Sequence, residues 1–130
     1  MVRVAMRSKT HKEWHTFILI VDSGASYTAL PRIDAEPLGV VIRDGTRMDV
    51  SGVGGESITA WLHTVTSEIG AMRLRLPVLF LERDDAPRVL GRAGLLRDFG
   101  VILDGVGQRT NFVHKTSPRY KAIQSLFNEV

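Results

Sequence analysis

The chain has 130 residues, and its 17 Lys and Arg against 14 Asp and Glu leave a formal net charge of +3. This length supports a single compact domain and excludes a two-lobed enzyme, and a hydrophobic share of 44% argues against intrinsic disorder. No cysteine is present, which excludes disulfides, thiolate zinc sites and a cysteine nucleophile.

The distribution of charges and apolar runs sets expectations for partners. The basic residues are mostly arginine and scattered, and Arg73 and Arg75 alternate with apolar residues as on a solvated strand face. We therefore expect no nucleic-acid partner. No signal-peptide core follows the basic N-terminal residues, and the apolar run at 17–21 is too short to cross a bilayer. We expect a soluble, cytoplasmic chain with no membrane partner.

The first predicted element is a strand at Phe17–Val21, a continuous run of apolar residues rich in β-branched side chains. Such a run predicts a strand that is buried on both faces. Asp22, Ser23 and Gly24 follow at once and predict a turn. An acidic residue therefore stands directly at the end of a buried strand.

Two hairpins are predicted in the middle of the chain. Residues 48–50 lead into a glycine-rich stretch at 52–55, a pattern typical of a hairpin with a mobile tip. Residues 57–67 alternate polar and apolar side chains, residues 68–71 supply a glycine turn, and residues 72–81 return as a second long strand.

One short helix is predicted among the strands of the last third. Val89–Arg92 precedes Ala93–Phe99, whose apolar residues recur at the spacing of a short helix. Val101–Leu103 then predicts a strand.

The end of the chain has a weaker pattern. We expect one domain over residues 1–130, with a core at about 16–104 and a C-terminal extension at 105–130. Within this extension, Asn111–His114 has the pattern of a strand, and the residues after Pro118 have that of a short amphipathic helix.

A triplet of Asp, Ser and Gly is by itself an ordinary turn sequence, but here it ends an apolar strand and precedes Ala25. The glycine-rich stretch at 52–55 and the sequence of two apolar residues and glycine that ends at Gly91 follow in order. As a set, these motifs resemble the retropepsin-like aspartic proteases over about Thr16 to Asp104. The resemblance implies an all-β fold, a retropepsin-like closed β-barrel protomer with a flap hairpin and one short C-terminal helix.

The resemblance implies hydrolysis of peptide bonds by activated water. Without a metal or a covalent nucleophile, one carboxylate must take a proton from water while a neighbouring carboxyl gives one to the substrate. The chain has a single Asp-Ser-Gly motif, at Asp22, and Asp104-Gly105 lacks the Ser or Thr. We therefore expect a homodimer in which each copy contributes Asp22, acting on a polypeptide substrate with no cofactor and no metal.

The resemblance also implies roles for other residues. Ser23 bonds across the two-fold axis, Gly24 allows close backbone approach, Gly91 passes beneath the active-site loop, and Arg92 holds the following helix against the core. Support of the active site is expected from Ser23, Gly24, Ala25, Gly91 and Arg92, and a substrate-binding flap from Gly52, Val53, Gly54 and Gly55.

Two alternatives stay open. A retropepsin-fold module could bind peptides or dimerise its host protein without cleaving, since a fold does not guarantee an activity. The intact motif at Asp22 argues against that alternative. A nucleic-acid-binding β-barrel is less favoured, because the chain lacks clusters of aromatic and basic residues.

Overall fold

The computed structural model describes residues 1–51 and 55–127. Two 3₁₀ helices lie at Arg32–Asp34 and Ile42–Asp44. The strands and the helix described in these ranges are β1 (Val2–Arg7), β2 (Trp14–Val21), β3 (Thr28–Pro31), β4 (Thr46–Ser51), β5 (Ser57–Ile69), β6 (Met72–Leu81), β7 (Val89–Leu90), β8 (Phe99–Asp104), β9 (Arg109–His114) and α1 (Pro118–Phe127). Over the same ranges, no helix has the length and apolar character needed to span a membrane.

The main sheet closes on itself into a ring. Its strand order is β1-β2-β7-β3-β6-β5-β4, and β1 also pairs with β5 through Ala5–Glu68 and Met6–Ser67. This extra pairing joins both sides of the sheet and leaves β4 as a flange attached to β5. Strands β8 and β9 form a separate hairpin, and Phe112 of that hairpin packs against the core.

The core fills the ring from alternate positions of its strands, as the two-residue period of a strand requires. Fully buried side chains come from β1, β2, β3, β5, β6 and β7, among them Val4, Met6, Leu19, Leu30, Val65, Leu76, Phe80 and Leu90. The long central hairpin predicted from the sequence is confirmed in β5 and β6.

The outer face of β2 corrects one prediction. Phe17 and Leu19 are buried, but Ile18 is 51% exposed and Ile20 is 49% exposed. The prediction of burial on both faces was therefore wrong for the single chain. Because β2 is part of the ring wall, alternate side chains must point outward.

The helix predicted at Ala93–Phe99 is also wrong, since residues 93–98 form successive turns. Gly94 adopts a φ of +76°, and a Cβ there would lie 2.5 Å from the Pro77 side chain. A left-handed residue interrupts a right-handed helix, although Leu95 is still buried in the core. The α-helix begins instead at Pro118. Proline has no backbone N–H, which is tolerated at the first position of a helix. Ser117, just before it, accepts a hydrogen bond from the Arg119 N–H at 3.3 Å.

An ion pair between a buried carboxylate and a half-buried arginine fixes the segment that enters β7. The Asp34 side chain is 5% exposed and accepts two hydrogen bonds from Arg88, at 2.7 Å from Nε and 2.9 Å from Nη2. This contact raises the pKa of Arg88 above its ordinary value, mainly through the hydrogen bond. The pair ties the first 3₁₀ helix to the residue that precedes β7.

We predict that Arg88→Met lowers the free energy of unfolding by ~2–3 kcal/mol, because it leaves the buried Asp34 carboxylate without a partner. Urea unfolding at one fixed protein concentration measures this loss. Arg47→Met is the matched control, because Arg47 and Asp49 form an ion pair in which both side chains are exposed. Equal losses in the two variants would contradict the structural role of Arg88.

Candidate active site

Asp22 lies where β2 ends, beside the end of β7. The two strands run parallel, with Ile20 opposite Val89 and Val21 opposite Leu90. The Asp22 N–H donates a hydrogen bond to the Leu90 carbonyl at 3.0 Å, so it continues this pairing. Parallel pairing therefore brings Asp22 and the residues after β7 to the same end of the sheet.

The loop after β2 holds the Asp22 carboxylate in place. The Gly24 N–H donates to Oδ1 of Asp22 at 2.9 Å, and the Ala25 N–H donates to the backbone carbonyl of Asp22 at 3.1 Å. Asp22, Ser23 and Gly24 are all exposed in the single chain. The carboxylate is thus oriented by its own loop at a surface open to solvent or to another molecule.

The backbone after β7 passes directly beneath this loop. The Gly91 N–H donates to Thr28 Oγ1 at 3.2 Å, and the Arg92 N–H donates to the Ala25 carbonyl at 3.0 Å. A Cβ at Gly91 would overlap the backbone carbonyl of Tyr27. Only glycine permits so close a crossing of two chain segments.

The Arg92 side chain contacts the Asp22 loop. Its Nη1 donates to the Ser23 carbonyl at 3.1 Å, and its Nη2 lies 3.4 Å from Ser26 Oγ. Arg92 was expected to hold a following helix against the core, but residues 93–98 form turns and not a helix. The guanidinium instead ties the segment after β7 to the loop that carries Asp22.

A pocket of about 650 Å³ opens beside the Asp22 loop. Residues 24–27 form one side, and the stem of the β4–β5 hairpin forms another. Its apolar lining includes Ala29, Val50, Ile58, Leu79, Leu81 and Pro87. The pocket can therefore receive apolar side chains of a molecule that approaches Asp22.

Charged residues line the rim of this pocket, and none of them was predicted from the sequence as part of the site. Arg83 donates to Asp85 through Nε and Nη2, both at 3.0 Å, and its Nη1 lies 3.4 Å from Glu56 Oε2. The Arg83 hydrogen bond and charge lower the pKa of Asp85 below its ordinary value. The run of charges at 82–85 was visible in the sequence, but long-range pairing decides that it faces Glu56.

The structure describes the stem of the predicted flap. Strands β4 and β5 pair up to Ser51–Ser57, and Gly55 is exposed. The predicted flap residues Gly52, Val53 and Gly54 lie outside the described residues. The role of all four glycine-stretch residues in substrate binding stays a prediction.

Comparison with protein-family models matches residues 11–96 to a model described as aspartyl protease. The chain belongs to the aspartyl protease family. The matched range contains Asp22, the stem of the hairpin and the crossing at Gly91. Among curated protein sequences, none matches this chain.

Solved structures of retropepsin-like proteins are similar to this fold at low sequence identity. The retroviral protease-like domain of Ddi1 from Leishmania major has a TM-score of 0.56 at 19% identity, covering 86% of this chain and 87% of that domain. A retropepsin-like aspartic protease from Rickettsia conorii has a TM-score of 0.52 at 20% identity, covering 78% and 82% of the two chains.

A viral structure is similar over a smaller part of the chain. EIAV protease, complexed with the inhibitor HBY-793, has a TM-score of 0.50 at 19% identity, covering 69% of this chain and 78% of that chain. The all-β retropepsin-like fold with one short C-terminal helix is thereby confirmed.

We predict that Gly91→Ala lowers the free energy of unfolding by roughly 1–3 kcal/mol, because the new methyl group forces the crossing segments apart. Urea unfolding measures the loss, and amide chemical shifts at 22–28 locate the displacement. Gly105→Ala is the control, since among the described residues no atom beyond Gly105 and its two chain neighbours lies within 4 Å of the Cβ position there. A Gly91→Ala protein as stable as the control would contradict a tight crossing.

Proposed function

We propose that the chain is an aspartic endopeptidase whose active site combines Asp22 from each of two copies. The observation that carries this proposal is the placement of Asp22, whose exposed carboxylate accepts a hydrogen bond from Gly24 at 2.9 Å next to a large apolar pocket. Membership of the aspartyl protease family supports the same chemistry. The substrate is a polypeptide bound in an extended conformation.

The reaction divides between two carboxyl groups. The ionised Asp22 removes a proton from water, whose oxygen attacks the peptide carbonyl carbon, while the protonated Asp22 of the second copy donates a proton to the carbonyl oxygen. The resulting tetrahedral diol breaks at its C–N bond as the amide nitrogen takes up a proton. A single chain supplies one carboxyl from the motif, so it cannot complete this cycle by itself.

The β8–β9 hairpin supports association of two copies. In the described part of the chain, these two strands pair only with each other, so both hairpin edges have free backbone groups. Leu103 is 67% exposed and Ile102 is 41% exposed on β8. A two-stranded hairpin is marginally stable alone, and a second copy would satisfy its edges and cover these side chains.

The neighbours of Asp22 support the site without taking part in proton transfer. Gly24 orients the carboxylate, Arg92 braces the loop from below, and Gly91 allows the two segments to cross. Ser23 is exposed and available for a contact with the second copy, and Ala25 lines the pocket. We also propose that the glycine stretch at 52–55 serves as the substrate-binding flap.

We predict that Asp22→Asn reduces peptide cleavage by at least ~100-fold, because an amide can act neither as the base nor as the acid. A peptide-library cleavage assay from acidic to neutral pH measures the loss. Asp44→Asn is the matched control, as Asp44 is exposed and lies away from the pocket. Wild-type turnover in the Asp22→Asn protein would contradict the proposal, and a wild type that cleaves nothing would favour the silent binding module.

We predict that activity requires association of two copies, so specific activity falls on dilution below the dimer dissociation constant. Leu103→Arg shifts the protein toward monomer, because it places a charge on the exposed strand that the second copy would cover. Sedimentation velocity and activity are measured on the same samples. Val41→Arg is the control, since Val41 is 64% exposed outside the hairpin. Full activity from a demonstrated monomer would exclude the shared site.

A further inference from the structure

A second pocket, of about 370 Å³, lies at the other end of β2 from Asp22. Arg7 of β1 pairs with Trp14 at the start of β2, whereas Asp22 follows the end of that strand. The eight residues of β2 therefore separate the two sites by roughly 25 Å. The lining includes Arg7, Lys9, Lys12 and Arg75, together with the hydroxyl side chains of Ser8 and Thr66.

The charges of this pocket are all of one sign. Within residues 1–51 and 55–127, none of its four cationic side chains has a carboxylate oxygen within 4.0 Å. The nearby Glu13 is directed toward His15, at 3.9 Å. Most other arginines in these ranges pair with acids, namely Arg32, Arg43, Arg47, Arg73, Arg83, Arg88 and Arg109. Four like charges around one cavity repel one another, and a bound anion would offset that repulsion.

One residue that lines the pocket has a buried donor without an acceptor among the described residues. Nε of Arg7 is buried and has no hydrogen-bond partner among the described residues. Buried N–H groups are almost always paired in folded proteins. Ser8, next to it, is 2% exposed, and its Oγ accepts a hydrogen bond from the His11 N–H at 3.4 Å. An oxyanion bound at the pocket face of the Arg7 guanidinium would give this group an acceptor that the described residues do not provide for its Nε.

We propose that this pocket binds an oxyanion of the phosphate class, either free phosphate or a phosphate monoester on a protein side chain. Its cations come from three separate segments: Arg7 from β1, Lys9 and Lys12 from the turn after it, and Arg75 from β6. A tetrahedral dianion presents acceptors in several directions, whereas a carboxylate presents two oxygens in one plane. Two guanidinium groups with added ammonium and hydroxyl donors match the tetrahedral ion better.

The test is a titration of the isotopically labelled full chain, followed by its amide chemical shifts. Inorganic phosphate and O-phosphoserine are the probes, and sodium chloride at equal ionic strength controls for screening. We expect saturable shifts confined to residues around the pocket, with none at residues 22–28. Tighter binding of O-phosphoserine would identify a phosphorylated side chain as the source, and tighter binding of inorganic phosphate the free ion.

Variants separate a built site from general attraction by the positive charge. Arg7→Gln and Arg75→Gln each weaken phosphate binding by at least ~10-fold, because each removes a charged donor from the pocket. Arg75 is exposed, so its loss leaves the fold intact even if Arg7→Gln unfolds the chain. Arg3→Gln is the matched control, because it makes the same charge change at an exposed residue of β1, the strand that also carries Arg7.

Three results would overturn the proposal. The first is that chloride produces the same shifts as both phosphate probes. The second is that Arg3→Gln weakens binding as much as Arg75→Gln does. A single-stranded oligonucleotide that binds more tightly than either probe, with shifts extending beyond the pocket, would replace the discrete oxyanion site by a nucleic-acid surface. Binding is measured without any cleavage assay, so its outcome is independent of the proposed peptidase activity.

Discussion

The site depends on the crossing of two backbone segments at one end of the ring. Gly91 passes under residues 27 and 28 at a distance that no side chain could tolerate, and its N–H reaches the buried Thr28 hydroxyl. Hydrogen bonds from Arg92 and Ala93 to the loop before β3 extend the contact. The loop that carries Asp22 therefore rests on a rigid support rather than moving freely as a surface turn.

Closure of the ring determines which side chains of the wall strands face the core and which face solvent. The β1–β5 pairing gives every wall strand an inner face, which fills the core, and an outer face, which solvent reaches. On β2 the outer face carries Ile18 and Ile20, and the Asp22 loop follows at one end. At the other end the cations of β1, the following turn and β6 meet without carboxylate partners among the described residues. Strand β2 thus separates the exposed Asp22 carboxylate from this group of cations.

Under the proposed mechanism, the single chain carries only part of what peptide hydrolysis needs. It has one motif carboxylate at an exposed edge, one apolar pocket next to it and one hairpin whose strands pair only with each other in the described ranges. Each of these features gains a function if a second copy supplies the matching half. The charged rim formed by Arg83, Asp85 and Glu56 belongs to this chain, and it links the end of the β4–β5 hairpin to the loop before β7.

Local patterns in the sequence were enough to predict β2, the central hairpin and the acidic turn at Asp22, because these depend on neighbouring residues, whereas β1 and β3 were not predicted. The family motifs extended this to the retropepsin-like fold. Local patterns failed at Ala93–Phe99, where helical spacing reflects burial of Leu95 while Gly94 takes a left-handed conformation against Pro77. The contact of Arg83 with Glu56, the partners of Arg92 and the convergence of Arg7 with Arg75 were decided by the tertiary structure alone. These contacts join segments far apart in the chain, and strand register, which one sequence does not encode locally, determines which side chains meet.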